Sequence, residues 1–170
     1  KKKKTEWHNE GTNNPERAII AGNRTGKTRT AAAEVAIHLT GMYPDWWEGR
    51  RFDTCTSWIV AGPTNELTRD VCQFALVGGM IEGTKEPDGT GWIPKRCIGD
   101  VNFRQCGVQN VIDTVKVKHV SGGWSELAFK SYEQGNIKFQ DVSRHGVWLD
   151  EEPTDQMIFT EAQTRFFFFF

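Results

Sequence analysis

The sequence predicts an α/β domain with a mainly parallel sheet and helices on both faces. Three observations predict it. A short apolar run, Arg17 to Ala21, leads through a glycine-bearing loop into a strongly helix-favouring stretch. A second apolar run, Val147-Trp148-Leu149, ends abruptly in Asp150, Glu151 and Glu152. Between the two lie further strand-like runs and one more helical pattern, and 170 residues are enough to bury a core as one domain.

The chain opens on Lys1 to Lys4 and closes on Phe166 to Phe170. Neither homopolymer fits the pattern beside it, so both read as non-native or placeholder residues and the domain spans residues 5–165. Thr5 to Glu16 is polar and turn-rich, an approach to the first strand. Arg17 to Ala21 is short, apolar and bounded by Pro15 and Gly22, the marks of a buried strand. Thr28 to Leu39 is helix-favouring at its centre, with Gly41 at the expected C-cap. Joining them is AGNRTGKT: Ala21, Gly22, Asn23, Arg24, Thr25, Gly26, Lys27 and Thr28.

Strand, glycine-bearing loop, Gly26-Lys27-Thr28 and helix form the context that a P-loop requires. Free backbone N–H groups at the loop and the helix start point at one spot and favour negative charge there. Gly26 lets the backbone close on phosphate oxygens, Lys27 reaches the β- and γ-phosphates of ATP, and the Thr28 hydroxyl can hold Mg2+. The strict pattern departs at one point: it wants glycine five places before Gly26, where this chain has Ala21 with its glycine displaced to Gly22. The acidic run supplies the other half. An apolar strand ending in carboxylates puts acids at the carboxyl edge of a parallel sheet, where open α/β folds bind ligands. Asp150 is the candidate metal residue, acting through water, and Glu151 the residue that orients or deprotonates the attacking water. Glu152 reads as readily as a solvated acid before Pro153. Trp7 has two readings, a stack on the nucleotide base or a surface tryptophan in a frayed end.

The remaining elements follow in order. In MYPDWWEGRRF, Trp46, Trp47 and Phe52 stand among Asp45, Arg50 and Arg51. Such a mixture serves nucleic-acid stacking or a packed loop, and the packed loop is the favoured reading because duplex DNA offers no free bases. Ser57 to Ala61 reads as a core strand, and Thr64 or Asn65 caps a helix from about Glu66 to Leu76 that Gly78-Gly79 ends. Met80 to Val108 has no clear period; Lys85, Lys95, Arg96 and Arg104 make it a candidate DNA or neighbour contact, or a solvated loop. Val111 to Val120 alternates, and Ser125 to Tyr132 follows a turn at Ser121-Gly-Gly-Trp124, so the two pair as a hairpin. An added strand between loop and acids, with glutamate directly after the metal aspartate, points to the additional-strand, catalytic-glutamate (RecA-like) type of P-loop NTPase. Asp155 to Arg165 reads as a helix packing Ile158, Phe159 and Ala162.

Composition limits the partners. Basic residues number 21 against 22 acidic, but setting aside the opening lysines leaves 17 against 22, so bulk charge does not make this a nucleic-acid binder. No apolar run is long enough to span a bilayer, which implies a soluble, cytoplasmic protein without membrane partners. Cys55, Cys72, Cys97 and Cys106 lack zinc spacing and read as buried free thiols.

AGNRTGKT, HLTGMYPDWWEGRRF (residues 38–52), FKSYEQG (residues 129–135) and VWLDEEP (residues 147–153), in that order, resemble the ATPase domain of the terminase large subunit of tailed bacteriophages. The likeness covers nearly all of residues 17–165, and Arg24 in the loop is itself terminase-like. The resemblance implies an ATPase driving double-stranded DNA into a procapsid, with ATP and Mg2+ as cofactors. It implies the portal protein, the small terminase subunit and a homo-oligomeric ring, a pentamer by that likeness, as partners. The location it implies is the host bacterial cytoplasm, transiently at the procapsid portal. Arg24 would meet the γ-phosphate in the transition state, and Lys130 and Tyr132 become candidates to face nucleotide or DNA. The family's nuclease domain and final core strands are not in this sequence, so a fragment unable to cut DNA is expected. Two rivals are a helicase-like P-loop ATPase and a non-catalytic nucleotide-binding assembly module.

Overall fold

A five-stranded sheet forms the centre, in the order β2-β3-β4-β1-β5. Its strands are β1 (Ser57–Gly62), β2 (Ile98–Phe103), β3 (Ile112–Lys118), β4 (Trp124–Ser131) and β5 (Gly146–Leu149). The computed structural model describes residues 2–14, 16–22, 24–135 and 144–165. β1 pairs in parallel with both β4 and β5, whereas β3 runs antiparallel to both β2 and β4. Four strands therefore point one way and only β3 opposes them, so the mainly parallel sheet is borne out. The β3-β4 hairpin is the one that the alternation in residues 111–132 predicts.

β1 is covered on both sides because its residues alternate between two cores. Trp58 and Val60 join Leu127, Phe129 and Trp148 under helix α2 (Lys27–Thr40). Ile59 and Ala61 join Ala128 and Val147 on the opposite face, under Ile158 and Ala162 of the last helix, α5 (Gln156–Arg165). Helices thus lie on both faces, as the sequence predicts. Gly41 ends α2 in a left-handed conformation, φ 70°, and a Cβ there would come within 2.4 Å of the His119 ring.

The predicted helix after β1 is present with a different interior. Thr64 caps it by accepting from the Leu67 N–H at 3.1 Å, and it continues as α3 (Asn65–Leu67), a π-helical turn (Thr68–Gln73) and α4 (Phe74–Val77). The wider turn buries Thr68, Cys72 and Gln73. Gln73 then accepts from the Ile112 N–H and donates to the Asn110 carbonyl, both at 2.9 Å, which ties the helix to the start of β3.

Four expectations are corrected. Residues 17–21 form no strand: Ile20 is 96% exposed, and only Arg17 is buried. A strand needs a ladder partner, and Arg17 is held instead by its side chain, which donates to the Trp7 carbonyl at 2.8 Å and to Glu34. The polar approach is ordered as α1 (Lys2–Asn9) and a 3-10 turn (Glu10–Thr12), because packing of His8 against α2 overrides weak propensity. The aperiodic stretch 80–108 contains β2, an edge strand whose Gly99, Asp100 and Asn102 hide it from propensity. Its basic residues are partly engaged: Lys95 pairs with Glu86 at 3.2 Å, and Arg104 binds Asp113 and the Phe129 carbonyl. Finally, all four cysteines are free as expected, but only Cys72 and Cys97 are buried. Of the two tryptophans, Trp47 packs at 3% exposure and donates to the Arg50 carbonyl, while Trp46 stays 46% exposed. Lys2 to Lys4 begin α1, and Lys1 and Phe166 to Phe170 lie outside the described residues.

Candidate functional site

The loop 21–28 folds upon itself. The Thr25 hydroxyl donates to the Gly22 carbonyl at 2.9 Å, and the Lys27 ammonium donates to the carbonyls of Ala21 at 2.5 Å and Gly22 at 3.3 Å. Gly26, at φ 83°, turns the chain into α2, and the Thr30 hydroxyl donates back to the Gly26 carbonyl at 2.9 Å. Arg24 also takes a positive φ of 61°. Asn23 lies outside the described residues.

The acids arrive from the neighbouring element. Because β5 is parallel to β1, its last residues reach the carboxyl end of the sheet beside Ala61, and the Asp150 N–H continues the ladder by donating to the Ala61 carbonyl at 2.8 Å. There Thr28, Cys72 and Lys27 stand close enough to the Asp150 carboxylate for each to favour its charged form. The two motifs, more than a hundred residues apart in sequence, meet at one point. They share a cavity of about 500 Å3, lined by Arg24, Thr25, Gly26, Lys27 and Thr28 on one side and by Leu149, Asp150 and Glu151 on the other. Ala21 and Gly22 stand outside the lining and act through the carbonyls that hold Lys27.

Burial, followed by the adjacent Glu151 charge, pushes the Asp150 carboxyl above its ordinary range, and Thr28, Lys27 and Cys72 offset this only in part. Burial and the Asp150 charge likewise push the Cys72 thiol up, so it remains a neutral donor. Glu151 is exposed and adopts φ 66°, unusual for a residue with a side chain.

Three features escaped sequence reasoning. Tyr132, a candidate to face nucleotide, is buried and donates beneath the acids to their main chain; Lys130, the other, pairs with Asp113 at 3.2 Å. Cys72 carries no sequence signal at all. The third is Glu34, fully buried in α2. It pairs with Arg17, with His8 at 2.6 Å and with His38 at 3.6 Å. Burial raises its pKa, but the His38 and His8 rings and the Arg17 guanidinium together outweigh that and bring it down to about 2. A lone acid inside the helical run AAAEVA was the signal that could have revealed it.

Fold and site define a mixed α/β domain in which a helix-leading loop and a strand-ending acid pair close on one cavity. Its family follows from comparison with known sequences: residues 18–167 match the family described as terminase large subunit, T4likevirus-type, N-terminal. The chain belongs to the terminase large subunit family. It is 39% identical over 181 aligned residues to the terminase large subunit of Salmonella phage P22, an alignment covering 96% of this chain and 35% of that protein. Among solved structures, the large terminase of the thermophilic bacteriophage D6E in complex with ADP is similar with a TM-score of 0.58 at 13% identity, over 88% of this chain and 31% of that one. A further structure of the D6E protein gives 0.59 at 13% identity, over 99% of this chain and 36% of that one. The chain thus spans about a third of the length of these relatives.

Proposed function

We propose that this chain is the ATP-hydrolysing part of a terminase that moves double-stranded DNA into a procapsid, and that its fold is the catalytic-glutamate type of P-loop NTPase. The observation that carries the reading is the meeting of Lys27 and Thr28 with Asp150 around one cavity. The residues fit a magnesium nucleotide. Backbone N–H groups at a helix start favour phosphate, and an ammonium with three donors can pivot from the Ala21 and Gly22 carbonyls to phosphate oxygens. Thr28 and Asp150 would hold Mg2+, a hard cation suited to hydroxyl and carboxylate oxygen. Among the described residues no group of three or more His, Cys, Asp or Glu side chains is arranged to hold a metal ion by itself, so its other ligands would be phosphate and water.

Held by Thr28 and Asp150, Mg2+ would supply charge neutralisation at the nucleotide phosphates. Lys27 adds to that neutralisation. Glu151 orients the attacking water and accepts its proton on a carboxylate oxygen. Arg24, exposed and lining the cavity, would meet the charge that develops on the γ-phosphate. Family membership extends the reading to duplex DNA, the portal, the small terminase subunit and a homo-oligomeric ring, acting in the host cytoplasm and at the procapsid. The test is Glu151→Gln in the full-length protein. ATP hydrolysis should fall by about a thousandfold or more while ATP affinity is kept. Hydrolysis at the parent rate would overturn the reading.

A further inference from the structure

We infer that Tyr132 is a positioning residue for Glu151, fixing the main chain on which the water-activating carboxylate stands; this rests on the hydrolytic reading above. Three carbonyl oxygens converge on the Tyr132 hydroxyl: Glu151 at 2.8 Å, Asp150 at 3.0 Å and Ala61 at 3.4 Å. Carbonyls only accept and a phenol has one proton, so Tyr132 donates mainly to the nearest, Glu151. The Ala61 carbonyl already accepts the Asp150 N–H.

The main chain there has reason to need a hold. A left-handed φ at a residue bearing a side chain is strained and persists only where the surroundings over-determine it. Glu151, at φ 66°, is such a residue, and its side chain is exposed. Tyr132 itself is well fixed. Its ring packs with Ala61, Ala128, Val147 and Ile158. Its turn is closed by a reciprocal Ser131 and Gln134 cap, and the Ser131 hydroxyl donates to Asn65 at 3.2 Å. Burial and the Asp150 charge push the phenol pKa up, so the hydroxyl stays a donor across the working pH range. Without that proton the 150–151 turn is free to relax toward an ordinary φ, which would swing the Glu151 carboxylate away from the cavity.

The experiment is steady-state ATP hydrolysis by the full-length protein carrying Tyr132→Phe, with rates expressed per nucleotide-binding site so that an unfolded fraction drops out. The expected result is a fall in kcat of about ten- to a hundredfold, with ATP affinity changed less than about twofold. A parent-like kcat would overturn the inference. So would a parallel loss of ATP binding, which would make Tyr132 a scaffold residue only. Glu151→Gln measured alongside separates the two ideas: if it hydrolyses ATP normally, the hydrolytic reading fails whatever Tyr132→Phe does.

Discussion

Two carboxylates, Glu34 buried within α2 and Asp150 facing the loop across the cavity, are treated in opposite ways by the same fold. Glu34 is saturated with partners, two histidines and an arginine, and its acidity is strengthened to about 2. Asp150 is half-buried beside another acid, with only Thr28, Lys27 and a thiol to offset it, and its acidity is weakened. A structural carboxylate is fully paired by the chain itself. A carboxylate left short of positive charge is one whose charge a ligand can complete, which is why perturbed acids in clefts mark sites.

The contrast is broken most directly at Glu34. Glu34→Ala strands Arg17 and two imidazoles in the interior, and removing one partner from a buried charge cluster costs about 3–5 kcal/mol. Chemical denaturation should show that loss. Because Arg17 begins the segment leading into the loop, nucleotide affinity should fall with it. A loss below about 1 kcal/mol would mean that Glu34 does not anchor this side of the fold.

Acid sharpens the comparison through its sign. Glu34 has a folded pKa below its ordinary 4.5, so its contribution is full above pH 4.5 and is lost as pH falls toward about 2. His38 adds to the same limb: burial favours its neutral ring, so stability begins to fall as pH drops below its ordinary 6.5. Asp150 works the other way. Its folded pKa lies above 3.8, so ionising it as pH rises through that region removes stability. Denaturation midpoints measured from pH 7 to pH 2 should fall steeply in the parent, and Glu34→Gln should flatten the part below pH 4.5. An unchanged slope would sink the assignment.

Much of this was readable in the chain, and the gaps share one cause. The β3-β4 hairpin follows from a period of two, α2 from propensity closed by Gly41, and the convergence of Lys27 and Thr28 with Asp150 from motif and sheet edge. Residues 17–21 look like a strand by local composition, but a strand exists only with a neighbour. β2 carries strand-averse Gly99, Asp100 and Asn102 and is formed by pairing with β3. The π-helical turn that presents Cys72, and the three carbonyls around Tyr132, are set by contacts between elements far apart in sequence. Local pattern located the side chains that line the cavity but not what steadies them.

The smallest effect is the most diagnostic. Asp150→Asn keeps the size and shape of the side chain and removes only the charge that burial and Glu151 disfavour. For a structural acid such as Glu34 the corresponding change should destabilise; at Asp150 it should leave stability equal or raise it by up to about 1 kcal/mol, since the burial penalty on the charged form disappears. The same substitution removes the anionic oxygen proposed to hold Mg2+, so hydrolysis should be lost although the protein is no less stable. Thermal denaturation without ligand, set beside ATPase rates of the full-length protein, checks both halves. A protein that loses several kcal/mol with Asp150→Asn would put Asp150 among the structural acids and erase its contrast with Glu34.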